Sequence, residues 1–403
     1  MTNKIYHVSK FGMIKLSMLI LSLLPISNAF STDQILAVGI DRKFGYSDEA
    51  EAYVWKEGGH DEVLFFDIDN QLEPHLIGSV AVENSIFGPP TNIGITPDQK
   101  LAFIANSVST TVDPDRDEHY AMKKSSFITV VDLTTNPIKV VSKIKVGGMP
   151  SGLSIAKSGK FMLVANRSDS TVSLLTIENT SVKLVDTVNV GGEVTAVAIS
   201  PDGRNAFAVK NKQHKVAILN ISESGKVTYT GDDIPVGLYP WGIAISQDGN
   251  QALVTNIGFK SASDGNADTV TIIDLVHSPA RVSQHLTVGD APEGIAISPN
   301  GKFSAVSLLA GSFAVPLQSW YRREVGALSI LRITSDDASI ITTIDVGSFP
   351  EGVAFSSDSK HIYVGNFASE SLSIIKLNSN GEVESTKYFQ LPGPPASLRV
   401  ANQ

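Results

Sequence analysis

The chain of 403 residues has no cysteine at all. That excludes a disulfide framework and a cysteine-linked lipid anchor, so whatever holds the fold must be its own core. Long hydrophobic runs are almost as scarce. The run Leu16 to Leu24 is too short to span a bilayer. It follows Lys4, Lys10 and Lys15 and precedes Pro25-Ile26-Ser27-Asn28-Ala29, whose small residues suit cleavage after Ala29. Residues 1–29 therefore read as a secretory signal peptide, with Met13 as an alternative start, and the expected location is periplasmic or secreted. No transmembrane segment is expected after cleavage. There is no Gly-x-Ser-x-Gly, no His-Glu-x-x-His and no phosphate-cradling glycine loop. Basic charge is also in short supply. Beyond residue 29, 29 Lys and Arg face 41 Asp and Glu, a net charge of −12. That balance argues against a dedicated nucleic-acid binder.

What the chain does have is one phrase said seven times. Close copies start at Pro150-Ser151-Gly152, Pro240-Trp241-Gly242, Pro292-Glu293-Gly294 and Pro350-Glu351-Gly352. Looser ones start at Pro90-Thr91-Asn92, Val194-Thr195-Ala196 and Pro395-Ala396-Ser397. The shortest intervals between copies are 44 to 46 residues, and the longer ones are that unit plus insertions. A period near 45 residues, built from short β-type runs, is the signature of a β-propeller.

The second copy shows one unit plainly. Runs Gly152 to Ile155, Phe161 to Ala165, Thr171 to Leu175 and Val182 to Val190 make four short antiparallel strands, one blade. Pro-Asp-Gly-Arg at 201–204 and Pro-Asn-Gly-Lys at 299–302 are hairpin turns, and their polar residues are turn formers. Ser154, Ala198, Ala244, Ala296 and Ala354 keep one site of the innermost strand small, because blades crowd near the axis. Arg399 breaks that rule in the last copy. The seventh copy stops after one strand, while the chain begins, beyond the signal, with Ile35 to Ile40, Glu62 to Ile68 and Leu76 to Val82. The expected fold is all-β, a single domain over residues 30–403. It is a seven-bladed propeller of four-stranded antiparallel blades, closed by pairing of the carboxyl-terminal strand with the amino-terminal blade.

The phrases Val-Gly-x-x-Pro-x-Gly-Ile-Ala-Ile-Ser-Pro-Asp-Gly-Lys, then Val-x-Asn and Thr-Val-x-Ile-Ile-Asp-Leu, resemble the YVTN-repeat β-propeller family and its lactonase-like relatives. The resemblance covers essentially the whole mature chain. It implies the fold, and leaves open the activities found among such proteins: cell-surface proteins, periplasmic binding proteins, some DNA binders and enzymes. No Gly-His with Trp-Asp recurs, as tryptophan-aspartate propellers would require.

Insertions are confined to one place in the unit. The loop between second and third strands has four residues after Asn166, Lys210 and Asn366, but 20 after Asp41, 20 after Asn106, 12 after Asn256 and 18 after Leu308. All decoration should therefore lie on one face, with walls from the closing and first blades opposite walls from the fourth and fifth. A cleft between them, open over the second, third and sixth blades, is the expected binding place. Trp55, Trp241, Trp320, Tyr46, Tyr53, Tyr120, Tyr239 and Tyr321 map there, as a ligand-lining set or as the small core that long loops need.

Asn106, Asn166, Asn256 and Asn366 end second strands, with Asp41 and Lys210 at the equivalent site. Glu293 and Glu351 start inner strands on the same rim. Their oxygens could ring a divalent metal, which the lactonase resemblance implies would polarise an ester carbonyl. The plainer reading of Asn is a turn former bonded to its own loop. Asp113-Pro114-Asp115-Arg116-Asp117-Glu118 lacks the glycine and the final glutamate of an EF-hand. His60, His119 and His214 have no metal-ligand spacing. Lys123, Lys124, Lys212, Lys215, Arg322 and Arg323, with the aromatics, could grip single-stranded nucleic acid or an anionic small molecule. Nearby Asp48, Glu49, Glu51 and Glu57 oppose that.

These residues lead to a binding scaffold for a small molecule or an envelope protein, acting through the loop-rich face as a monomer without an evident cofactor. A lactonase-like hydrolase with a divalent metal at the channel mouth is second, and single-stranded nucleic-acid binding third.

Overall fold

In the computed structural model, which describes residues 34–47, 52–55, 60–112, 120–259, 262–335 and 337–401, seven four-stranded antiparallel sheets follow one another along the chain. The expected propeller is there. The second blade consists of Pro150–Ile155, Phe161–Asn166, Thr171–Glu178 and Ser181–Asn189, each within a few residues of the run read from sequence. No α-helix occurs among the described residues, and no helix is long and apolar enough to cross a membrane.

Each blade runs outward from a buried inner strand to a half-exposed outer one. Pro292–Ile297 is buried throughout, whereas Arg281–Gly289 alternates exposed and partly covered positions. The apolar side chains of neighbouring blades interleave. Between the fifth and sixth, Phe303, Ile330, Phe355, Ile362 and Val364 form one cluster. Each such burial contributes about 1.5–3 kcal/mol, and in a chain without disulfides these layers carry the stability. Turns between first and second strands obey the sequence reading. Asp202 accepts bonds from the Ser200 hydroxyl (2.6 Å) and the Arg204 amide (3.0 Å), which hold its carboxyl below the usual range.

Closure is by the two ends. Pro395–Val400 lies antiparallel to Ile35–Ile40, with Leu36 opposite Val400 and Val38 opposite Leu398. The Ala401 amide bonds the Ile35 carbonyl at 3.0 Å. Tyr363 of the sixth blade is fully buried and donates to the Gln71 carbonyl of the closing blade at 3.0 Å.

Two of the insertions form hairpins, Phe44–Ser47 with Ala52–Trp55 and Val108–Val112 with Tyr120–Lys124. The short loops after Asn166 and Lys210 are single 3-10 turns ended by left-handed Ser170 and His214. The first-to-second and third-to-fourth connections are shorter than the insertions, the longest being residues 68–74 in the closing blade.

Candidate functional site

The loop-rich end of the axis is built by a repeated piece of backbone strain. Met149, Tyr239, Ala291 and Phe349, each just before the proline that starts an inner strand, have φ near +50°. Such a conformation is costly for a residue with a Cβ, so each is held in place. Tyr239 donates its amide to His214 Nδ1 (3.0 Å), Ala291 to Asp268 Oδ2 (3.0 Å) and Phe349 to Ser312 Oγ (3.0 Å). Hydroxyls from the inner strand of the third blade and from the second strands of the fourth and fifth then bridge to the next inner strand. Thr195 bonds the Trp241 carbonyl (3.0 Å), Thr255 that of Glu293 (2.9 Å) and Ser307 that of Glu351 (2.7 Å). A glycine is required beside them, since a Cβ at Gly294 would lie 2.2 Å from the Glu351 carbonyl oxygen.

Held this way, Trp241, Glu293 and Glu351 of three successive blades meet beneath the rim, 8%, 6% and 1% exposed. Burial pushes both carboxyls well above their ordinary range. The Glu293 charge drives Glu351 up further, while the hydrogen bond between them favours the ionised form of Glu293. Two like charges in contact inside a protein cannot both persist, so Glu351 keeps its proton and donates it to Glu293. The Trp241 indole lies near enough to Glu293 to favour its charge, but its N–H makes no well-formed hydrogen bond. Glu293 Oε2 and Glu351 Oε2 are likewise buried without a partner. The Arg167 guanidinium stacks 5.1 Å from the Trp241 ring and is paired with Glu193 at 2.6 Å.

A phenylalanine cap covers this trio. Phe313, from the fifth-blade insertion, stacks on Phe349 at 4.2 Å and meets Phe367 edge-on at 6.2 Å. Phe44, from the closing-blade insertion, packs on Phe367 (6.2 Å) and Phe87 (5.7 Å). Trp241, Ile257 and Leu309 belong to the same cluster. The cleft expected to stand open over the sixth blade is therefore filled there. The insertions fold over their short-looped neighbour because that buries their own aromatic rings.

The other residues singled out from sequence are spread around the rim. Asn166 accepts from the Gly147 amide (3.1 Å) and donates to Thr171 and Ser173. Asn366 does the same with Gly347, Ser371 and Ser373. Asn256 donates to Thr269 and Thr271, and Asn106 to Ser109 (3.0 Å) and Glu83 (3.4 Å). In both, Oδ1 is buried without a partner. These bonds tie Asn166, Asn256 and Asn366 to their own third strands, and Asn166 and Asn366 also to the incoming chain, whereas Asn106 is tied to its insertion hairpin and to incoming Glu83. Lys210 is buried against Asp233 (2.9 Å) and over the Tyr229 ring. Asp41 accepts the Ile86 amide (2.9 Å) and pairs with Lys43, which also binds Asp61; burial and the Asp41 charge push Asp61 up to about 6. Arg322 bonds the Val315 carbonyl at 2.5 Å, and Trp320 stands 81% exposed beside Tyr321. Tyr46, Tyr53, Trp55 and Tyr120 have side chains outside the described residues, and residues 1–33 and 113–119 with Asp48, Glu49, Glu51 and Glu57 lie outside them altogether. Among the described residues no group of three or more His, Cys, Asp or Glu is placed to hold a metal. Glu293 and Glu351 alone make too small a donor set for a hard cation.

The opposite end of the axis was not singled out from sequence. There the inner strands enclose a cavity of about 210 Å³, reaching from Lys157 and Gln247 in the turns to Thr91. Register relates the residues of the inner strands. Gly94, Ser154, Ala198, Ala244, Ala296 and Ala354 occupy one equivalent position, paired with Phe103, Leu163, Phe207, Leu253, Ala305 and Tyr363. Arg399, opposite Ala37, is the seventh member.

Comparison with known proteins agrees with this architecture. Residues 48–241, a little under half of the chain, match the family described as lactonase, 7-bladed beta-propeller. A search of curated protein sequences found no match. Among solved structures, the chain is similar to a putative 6-phosphogluconolactonase from Bacteroides fragilis, with a TM-score of 0.68, 16% identity and coverage of 92% of this chain and 99% of that one. It is similar to the periplasmic gluconolactonase of Pseudomonas aeruginosa, with a TM-score of 0.61, 19% identity and coverage of 91% and 99%. Hydrazine synthase from Kuenenia stuttgartiensis also shares the fold, with a TM-score of 0.60, 18% identity and coverage of 79% and 91%. At these identities the likeness is one of fold.

Proposed function

We infer that this propeller, whose fold is that of the lactonase-type proteins, binds a small oxygen-rich molecule at the loop-rich end of its axis. The observation that supports the reading is the unpaired trio: Trp241 Nε1, Glu293 Oε2 and Glu351 Oε2, buried together on three blades. Leaving such atoms unmatched costs roughly 1–3 kcal/mol each, a cost natural cores avoid unless a ligand or water settles it. With the Glu351 proton held by Glu293, the indole N–H is one free donor and the two Oε2 atoms are free acceptors, which suits the hydroxyls of a polyhydroxylated ring. Trp241 and half-buried Tyr239 supply flat apolar faces for such a ring. The phenylalanine cap must move for entry, and exposed Trp320 beside it offers a contact for a protein partner. The amino-terminal segment supports export, which amino-terminal sequencing of the mature protein tests.

Calorimetric titration with a panel of neutral sugars and sugar lactones tests the binding. A ligand with Kd below 1 mM, weakened at least tenfold by Glu351→Gln or Trp241→Phe, is expected. Failure of every panel member to bind the intact protein overturns the reading.

Lactone hydrolysis is the second reading, favoured by the divided protonation of the two glutamates and by the family match. Glu293 as carboxylate would take a proton from the attacking water, and Glu351 would give its proton to the departing ring oxygen, opening the lactone to a hydroxy acid. No metal step is included, because the residues present do not assemble a cation site. Acid release followed in a pH-stat should fall at least a hundredfold in Glu293→Gln. Equal rates with and without protein would remove the hydrolytic reading while leaving the binding one intact.

A further inference from the structure

The short-turn end of the axis holds a charge that the fold does not neutralise. Among the described residues, Arg399 forms no ion pair, and its one protein hydrogen bond runs from Nε to the Ile93 carbonyl at 3.3 Å. Of the residues lining the cavity, Arg399 and exposed Lys157 alone are charged, and both are cationic. The remaining wall, made by the ends of inner strands, mixes polar groups such as Ser154, Ser200 and Gln247 with a repeated apolar element, Ile155, Ile199, Ile245 and Ile297. Desolvation with no compensating anion lowers the Arg399 pKa to about 10. A desolvated guanidinium without an anionic partner is unfavourable, and a bidentate oxyanion is the group that relieves it best.

Six small residues make room for this one large one. Arg399 fits at its position because Gly94, Ser154, Ala198, Ala244, Ala296 and Ala354 are small at theirs. Had the ring needed only close packing, a seventh small residue would have served. Instead the free space is kept open, in a cavity lined by the single arginine. Thr91 Oγ1, at the inner end, is a further buried polar atom without a partner.

We propose that the axial cavity on the short-turn face is a second binding site, for a small organic carboxylate with an apolar body, its carboxylate on Arg399 and its body among the isoleucines. Lys157 at the mouth draws the anion in. The site is at the other end of the axis from the glutamate pair and does not depend on the function proposed there.

The test uses the intact mature protein in low-chloride buffer, titrated by calorimetry with benzoate and hexanoate. The neutral isosteres benzamide and hexanamide, and inorganic phosphate, serve as comparisons. Benzoate or hexanoate should bind at least tenfold more tightly than the matched amide and than phosphate. Arg399→Met, which keeps length and loses charge, should weaken the carboxylate at least tenfold and leave the amide unchanged. Ala244→Leu, which fills the cavity with Arg399 intact, should also block binding, and it keeps the test open if Arg399→Met does not fold. Carboxylate and amide binding alike, phosphate binding better than either, no binding by the intact protein, or full carboxylate affinity in a folded variant would each overturn the proposal.

Discussion

The two ends of one axis are finished in opposite ways. At the loop-rich end, insertions from the fifth and closing blades bring Phe313 and Phe44 onto Phe349 and Phe367, sealing two glutamates and a tryptophan beneath them. At the short-turn end nothing folds over, and a cavity remains with an arginine in its wall. The ring is the same at both, so the contrast comes from the insertions added to one end and from the side chains each end presents. Where acids are buried, loops exclude water and a proton is retained. Where a base is half-buried, the channel stays open to an anion. A repeated scaffold thus offers two chemically opposite sites without any change in its strands.

Breaking the ring itself should abolish both ends together. Removing residues 395–403 leaves Ile35–Ile40 without its inner-strand partner and exposes the interface of the sixth blade. Cooperative unfolding in urea should be lost, or its midpoint should collapse by more than any point substitution achieves. A truncated chain with the intact chain's midpoint and slope would deny the closure.

Opening only the sealed end is the next largest change. Phe349→Ala removes a ring that is 7% exposed and stacked on Phe313, and should cost about 3–5 kcal/mol in urea denaturation. Quenching of Trp241 by acrylamide, read in a Trp55→Phe and Trp320→Phe background, should rise with it. Unchanged quenching would mean the cap does not shield the trio.

The carboxyl pair predicts a pH dependence with a definite sign. Glu293 and Glu351 titrate higher in the folded protein than in the unfolded chain, so the folded form holds more protons over that interval. Stability contributed by the protonated pair is complete below the ordinary glutamate range and is lost as pH rises from 4.5 through about 7. Asp61 and Asp268, each raised from 3.8 to about 6, add a loss of the same sign over a lower interval. A double Glu293→Gln, Glu351→Gln variant should therefore lose about 1–3 kcal/mol less than the parent between pH 5 and 8. Parallel stability curves would place the two carboxyls in water.

The smallest effect belongs to the open end. Arg399→Met removes a desolvated cation with one long hydrogen bond, and urea denaturation should show a change within about 1 kcal/mol, towards stability. A loss of several kcal/mol would make Arg399 a structural residue.

Much of the ring was legible because its information is local. A proline, a glycine, an alternating apolar run and a turn recur at fixed offsets, and each of these acts within a few residues of itself. The same logic marked Asn166 and Asn366 as residues that could bond their own loop backbone, but their amides instead bond hydroxyls of the third strand and the Gly147 and Gly347 amides of the incoming chain. Glu293 and Glu351 stood out because they share a strand-start position without a turn role. Their contact could not be read, since it depends on the radius at which successive blades meet. The phenylalanine cap left no trace in the repeat, because Phe44, Phe87, Phe313, Phe349 and Phe367 come from five separate connections of the chain. Arg399 was visible as a broken rule. Its meaning needed the register of all seven inner strands, which shows six small residues facing one large one.

The account rests most heavily on a proton held between Glu293 and Glu351 under the sealed mouth. Infrared difference spectroscopy at pH 8, where Asp61 and Asp268 are ionised, reads that proton directly. A carbonyl stretch of a buried, protonated carboxylic acid should be present in the intact protein and absent from Glu351→Gln. A spectrum at pH 8 showing only ionised carboxylates, unchanged by that substitution, would contradict it.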